Sequence, residues 1–332
     1  MSKLVMIDSN VFTNNVLHTS DAVSVDDLVK RIKQNGQPKY ITNDSLSRFE
    51  TSPDIPIYCV PLYAEGQAAI FSNAVLPTEV QTENVANFLV NKKQVNRHLL
   101  IRLVELYNID INYTWSGISR HFDMTEIISE INSIDSLGWL TEGQRMHLLA
   151  PIELPPKWIE FPSQQKSDVS VNNFGGFYWT WVNGIDAVVS TSAISLISES
   201  LRFEKATFFT EKTMYSVLGL TFPLWIGGGN KQADEWKKLG FDAFDDVINH
   251  DYQHYDTLIE RCWWAFALNL DLLTDKKKAA KLRQINLERL INNRALFLGN
   301  HLMQQNDKII ATWPQEIQAV YEPIKQYWRQ ER

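Results

Sequence analysis

A chain of 332 residues, 44% hydrophobic and 11% aromatic, carries enough apolar material for one large core or two of ordinary size. Its 32 basic and 39 acidic side chains leave a formal charge of −7, which excludes a protein that coats nucleic acid by global attraction. Two distant cysteines, Cys59 and Cys262, without metal-site spacing exclude a disulfide scaffold and a cysteine metal centre; both read as reduced core residues.

The opening LVMID, residues 4–8, is a compact apolar run closed by Asp8, as expected of a buried first strand. Its apolar run is too short for a signal peptide, and no later stretch has membrane-spanning length. A reducing cytoplasm is therefore expected, a cell's own or that of a virus's host. A helix is predicted over residues 24–34, where Val25, Leu28, Val29 and Ile32 share one face and Asp26 and Asp27 occupy the first turn. Strands are predicted at 40–42 and 57–61, and a helix at 97–107 with Leu99, Leu100, Leu103, Val104 and Tyr107 at helical spacing.

Residues 150–165, APIELPPKWIEFPSQQ, hold four prolines and no sustained period, so the domain boundary is placed there. The expected division is 1–155, 156–305 and a final helical segment, 306–332. Beyond the boundary come a strand at AVVST (187–191), one ending in Phe208 and Phe209, a helix over 211–218 and a strand FPLWI at 222–226. Glycines 227–229 permit a tight turn after it, and a helix with Trp236 and Leu239 inward stops at Gly240. The rest reads as helical: a stripe of Leu258, Cys262, Ala265 and Leu268, a long basic helix over 276–301 and a last helix over 314–329. Strands alternating with helices imply an α/β fold with parallel strands.

The stretch FFTEKTMYSVLG, residues 208–219, puts Thr210 at an N-cap and Glu211 and Lys212 at the mouth of a helix that follows a strand. Free N–H groups and the positive dipole end there suit a phosphate, Lys212 adds a full charge, and Glu211 is suited to ribose hydroxyls. The plainer alternative is a Glu complementing the dipole beside a solvated Lys. Asp245 and Asp246 read as helix caps, His250 and His254 as surface residues, and Trp263 and Trp264 as packing. The aromatic group at 174–181 reads as a strand with alternate packing or a stacking platform. The basic run from Lys276 reads as a solvated face or a phosphate-contacting stripe.

STSAISLISES (190–200), FFTEKT, TFPLWIGGG, LGFDAFDDVIN and LINNRALF together resemble a group of bacterial and phage glycosyltransferase-like proteins over about residues 190–300. A second resemblance covers 87–116, with a basic turn at Lys92 and Lys93 before a helix. There this chain has Arg97 then His98, where the family commonly has His then Arg. The resemblance implies two Rossmann-like domains facing across a cleft (GT-B-like), with the donor nucleotide held mainly by the C-terminal one. It places Glu199, Thr210, Glu211 and Lys212 near the donor and Arg97 toward its phosphates, and has the last helix cross back to the first domain.

The expected activity is sugar transfer from a nucleotide diphosphate donor to a hydroxyl, either of a glycan or of hydroxymethylated pyrimidine in phage DNA. Departure of the diphosphate develops negative charge. No apolar-flanked Asp-x-Asp occurs, so metal independence is expected, with Lys212, the helix N-terminus and Arg97 as the clamp and no cofactor beyond the donor. Asp8, Glu65, His98 and Asp123 are candidate general bases, Asp8 having the best topology at a strand end. A nucleotide-binding module without catalysis is the alternative. A dinucleotide oxidoreductase is disfavoured because no GxGxxG follows a predicted strand.

Overall fold

The computed structural model describes residues 76–90, 95–115, 124–135, 140–152, 158–160, 181–199, 209–227 and 231–315. It also describes strand backbones at 5–7, 16–17, 40–42 and 57–59 and scattered positions at 64–74 and 318–326. Near the N-terminus, β1 (Val5–Ile7), β2 (Val16–Leu17), β3 (Tyr40–Thr42) and β4 (Ile57–Cys59) form a parallel sheet in the order β2-β1-β3-β4. The three strands expected there from their apolar runs are thus present; the helix expected over 24–34 lies outside the described residues.

A larger sheet of five parallel strands follows: β5 (Asn84–Val90), β6 (Ile111–Trp115), β7 (Trp158–Glu160), β8 (Ser192–Ser198) and β9 (Phe222–Gly227). Their order is β7-β6-β5-β8-β9. The chain starts in the middle, winds outward through β6 and β7, then restarts on the other side of β5 with β8 and β9. This doubly wound order leaves a switch point between β5 and β8, where α/β sheets gather ligands at the carboxyl ends of their strands.

The expected boundary at 155 is corrected by this pairing. β6 and β7 lie on either side of it and are hydrogen-bonded neighbours, as are β5 and β8, so one sheet spans the proline-rich segment. The central strand β5 was also not expected, because Asn84 and Asn87 interrupt its apolar run. Asn87 is buried all the same, its Nδ2 bonding Ile194 O at 3.3 Å and Ser195 Oγ at 3.0 Å on the neighbouring strand.

Strands buried on both faces read as near-continuous apolar runs, as FPLWI does; SAISLIS alternates its apolar residues with small serines, which are buried with them. In register, Phe88, Leu196 and Leu224 point to one face, where they meet α1 (Val95–Leu106), α2 (Met124–Asp135), α3 (Glu142–Leu149) and α7 (Leu258–Leu268). Leu89, Ile197 and Trp225 point to the other, onto α4 (Asp186–Ser190), α5 (Glu211–Leu218), α6 (Gln232–Lys238) and Phe297 of α10 (Leu287–Leu298). Two packed faces make a three-layer α/β unit. AVVST, expected as a strand, instead supplies most of α4, and its strand starts one residue after Thr191.

The single basic helix expected over 276–301 is two, α9 (Lys276–Ile285) and α10, with α8 (Leu270–Thr274) before them and α11 (His301–Ala311) after. Asn286 ends α9 and Gly299 caps α10. Lys277, Lys278 and Lys281 are exposed, as a solvated face would have them, but the arginines of the run are not a free stripe. Arg283 is fully buried, bonding the carbonyls of Gln81, Ser190, Gly219 and Leu220. Lys276 bonds Glu83 O, Arg289 pairs with Asp242 and Asp246, and Arg294 holds Pro77 O and Leu218 O. Cys262 is a buried core residue, as read; the side chain of Cys59 lies outside the described residues.

Candidate functional site at the sheet switch point

At the carboxyl end of β5 the chain turns into α1, whose second and third residues are Asn96 and Arg97; at the carboxyl end of β8 it reaches Ser198 and Glu199. Arg97 is fully buried and crosses the switch point, its Nε to Ser198 Oγ and its Nη2 to Ser198 O both at 3.4 Å. Asn96 does the same with Nδ2 to Ser198 Oγ at 2.7 Å.

Glu199 is fully buried directly after β8, and its carboxylate fastens the start of α5. Oε1 accepts the Thr210 N–H at 3.0 Å and the Thr213 hydroxyl at 2.7 Å, while Oε2 accepts the Thr210 hydroxyl. Thr213 in turn accepts the indole N–H of Trp225 at 3.0 Å, so a chain of bonds runs from β9 through α5 to the end of β8. Glu199 therefore positions α5 rather than facing open solvent.

Thr210 is the N-cap expected, extended at φ −95° and ψ −175°, with its Oγ1 accepting from Lys212 N at 3.3 Å. The helix runs over the predicted 211–218 and is buried beyond Glu211. Lys212 is only 4% exposed, and its ammonium rests on Glu211 Oε1 at 2.6 Å. Burial pushes the Glu199 carboxyl above its ordinary value, against the pull of Lys212 and the Thr210 hydrogen bonds. For Glu211 burial works the same way, but Lys212, by charge and hydrogen bond, and the charge of Arg97 outweigh it and hold that carboxyl low.

Arg97, Glu199, Thr210, Glu211 and Lys212, from three separate segments, thus meet in one place, where two cations and two carboxylates lie within the protein. Asn96, Ser198, Thr213 and Trp225 belong to it as well and were not singled out from sequence. Their partners are 102 residues away for Asn96 and 12 for Trp225, and only the SES step around Glu199 hinted at Ser198.

Other candidates are not brought there. Asp8 and Asp123 lie outside the described residues, as do Lys92 and Lys93. His98 is fully buried one turn into α1, its Nε2 bonded to Leu148 O at 2.8 Å; burial lowers it to about 4, which leaves it neutral and structural. Glu65 is buried against Asn306 Nδ2 at 2.7 Å. Asp245 and Asp246 open no helix but pair with Lys237 and Arg289. His250, expected at the surface, is half-buried and bonds Ala243 O at 3.0 Å. Trp263 and Trp264 pack as expected, partly buried against the core. Of the aromatic group only Trp181 is described, and it is fully buried.

No family model matches this chain. No curated protein matches it either. Among the described residues no three metal-ligating side chains cluster, and no helix is long and apolar enough to cross a membrane.

Proposed function

We propose that this protein is a glycosyltransferase that takes its sugar from a nucleotide diphosphate donor bound at the β5/β8 switch point. The observation that carries the reading is the meeting of Arg97 with Lys212 at the N-terminus of α5, beside Glu199 and Glu211, at the carboxyl edge of a doubly wound sheet. The small N-terminal sheet is, in this reading, part of a second Rossmann-like domain that presents the acceptor across a cleft, with Asp8 at the end of β1 as general base.

The chemistry follows from charge. Lys212, which rests on Glu211, passes to the diphosphate, and the freed Glu211 carboxylate takes ribose hydroxyls. As the glycosidic oxygen departs, Lys212, Arg97 and the first N–H groups of α5 stabilise the charge that develops on the nucleoside diphosphate. These fixed cations stand where other transferases use a divalent ion, and activity is expected to survive EDTA. The acceptor is a hydroxyl, of a glycan or of hydroxymethylated pyrimidine. The arginines of α9 and α10 are committed to protein partners, which weighs toward an acceptor other than DNA.

A non-catalytic nucleotide-binding module is the second reading, favoured by one observation: Glu65 and His98, two of the candidate bases, are both committed to structural hydrogen bonds. A panel of nucleotide sugars, with EDTA and with or without hydroxymethylated DNA, separates the two by thermal shift and sugar release. Stabilisation with turnover supports the transferase, stabilisation without turnover supports the module, and no stabilisation by any nucleotide sinks both.

A further inference from the structure

Asn96 is 1% exposed, and only one end of its amide is engaged. Nδ2 donates to Ser198 Oγ at 2.7 Å, whereas Oδ1 is buried without a hydrogen-bond partner. A buried acceptor left unpaired destabilises a fold, and where one persists beside the carboxyl ends of the strands a bound ligand is one source of its partner. The amide is also held tightly in place. Built onto Gly227 at the end of β9, a Cβ would come within 2.9 Å of Asn96 Nδ2, so the absence of a side chain there is what admits the amide between the ends of β8 and β9.

The next residue, Arg97, is one of the two cations of the site, so the unpaired oxygen stands beside the groups assigned to phosphate. Phosphate itself brings acceptors only. What Oδ1 lacks is a donor, and the ligand that offers an anion to Arg97 and Lys212 together with a donor to Asn96 is a phosphorylated sugar. We infer that Asn96 is a specificity-determining residue whose Oδ1 accepts a hydrogen bond from a hydroxyl of the nucleotide sugar. The inference rests on the nucleotide-sugar reading and adds the hydroxyl contact to it.

The test titrates wild type and Asn96→Leu calorimetrically with a nucleotide sugar, the matching nucleoside diphosphate and its 2′-deoxy form. The melting temperature of each unliganded protein is measured alongside. Leucine keeps the branched shape with somewhat larger ends and removes the orphaned oxygen together with the one bond of Nδ2, so the unliganded melting temperature is expected to hold. Affinity for the hydroxyl-bearing ligand is expected to fall about 10–100-fold. If nucleoside diphosphate is weakened and the 2′-deoxy form binds both proteins alike, the ribose supplies the donor; if only the nucleotide sugar is weakened, the transferred sugar does. Gly227→Ala, which displaces the amide without removing it, is expected to reproduce the loss and serves if the leucine variant does not fold. Unchanged affinities in both variants, with wild type still binding nucleotide, overturn the role of Asn96 and leave the transferase reading intact. An oxygen met only by a buried water gives that result. Wild type that binds no nucleotide overturns both.

Discussion

Replacing Arg283 by Met tests how the five-stranded unit is held at its base. Arg283 sends Nε to Leu220 O at 2.9 Å, Nη2 to Ser190 O and Gly219 O at 2.8 Å each, and Nη1 to Gln81 O at 3.2 Å and Thr82 Oγ1 at 3.3 Å. One guanidinium thereby ties together the approach to β5, the end of α4, and the turn between α5 and β9. No carboxylate is among the partners just named, and burial lowers the group to about 10, so its desolvation offsets part of what the bonds contribute. Met keeps much of the apolar stem and abolishes every donor. Two of the four carbonyls lie in buried bonds, at about 1–3 kcal/mol for each group left unpaired, and the other two are half-open to water. After the relief of desolvation, the expected net loss is about 2–4 kcal/mol. Urea unfolding followed by circular dichroism reads this as a lower midpoint at unchanged slope. Nucleotide affinity of the folded fraction should not move, because these bonds sit at the amino ends of the strands, opposite the site. An unchanged midpoint would refute the reasoning.

Lys212→Ala removes a buried charge-assisted contact and should weaken nucleotide diphosphate binding about 10–100-fold in a thermal-shift titration, with normal affinity sinking the site assignment. His98 is held near 4 against an ordinary 6.5 by burial, so the unfolded chain binds the extra proton first and stability falls as pH drops through that window. Relative to His98→Gln, wild type should lose up to about 3 kcal/mol more between pH 7 and pH 4, and parallel denaturation profiles would count against this. Thr213→Val strands the Trp225 indole N–H and one donor to Glu199, for an expected loss of about 1–3 kcal/mol and a shifted tryptophan emission. By contrast Arg289→Ala, though it breaks contacts of 2.7 and 2.8 Å to Asp242 and Asp246, removes a side chain 38% exposed; the loss should stay within about 1 kcal/mol.

What could be read from sequence and what could not divide by range. α5 is legible to the residue because its cap, first-turn acid and apolar face lie within a dozen positions, and β9 to within one residue because FPLWI is an unbroken apolar run. β5 is not legible because its buried Asn87 is satisfied by β8, whose pairing positions lie more than a hundred residues later. The boundary failed for a related reason: prolines mark a crossing of the chain, and this crossing carries β7 back to its own sheet. Within the site, Thr210, Glu211 and Lys212 announced themselves through local chemistry. The positioning role of Glu199 depends on hydroxyls 11 and 14 residues ahead and on Trp225 behind them. The basic helix misled because charge shows in sequence and burial does not; Arg283 reads the same whether it meets solvent or four carbonyls.

The pairing of β5 with β8 bears on how this chain can be cut. A fragment beginning at 156 would retain β8 and β9 but strip the register Asn84↔Ser192, Ala86↔Ile194, Phe88↔Leu196, baring one whole edge of SAISLIS. Seven uncharged residues, buried on both faces in the intact protein, would then offer open N–H and C=O groups to any other copy. Such a piece is a template for intermolecular strands, and its companion ending at 155 would carry the complementary bare edge of β5. The two halves made together are expected to complement each other; made apart, each is expected to associate with itself.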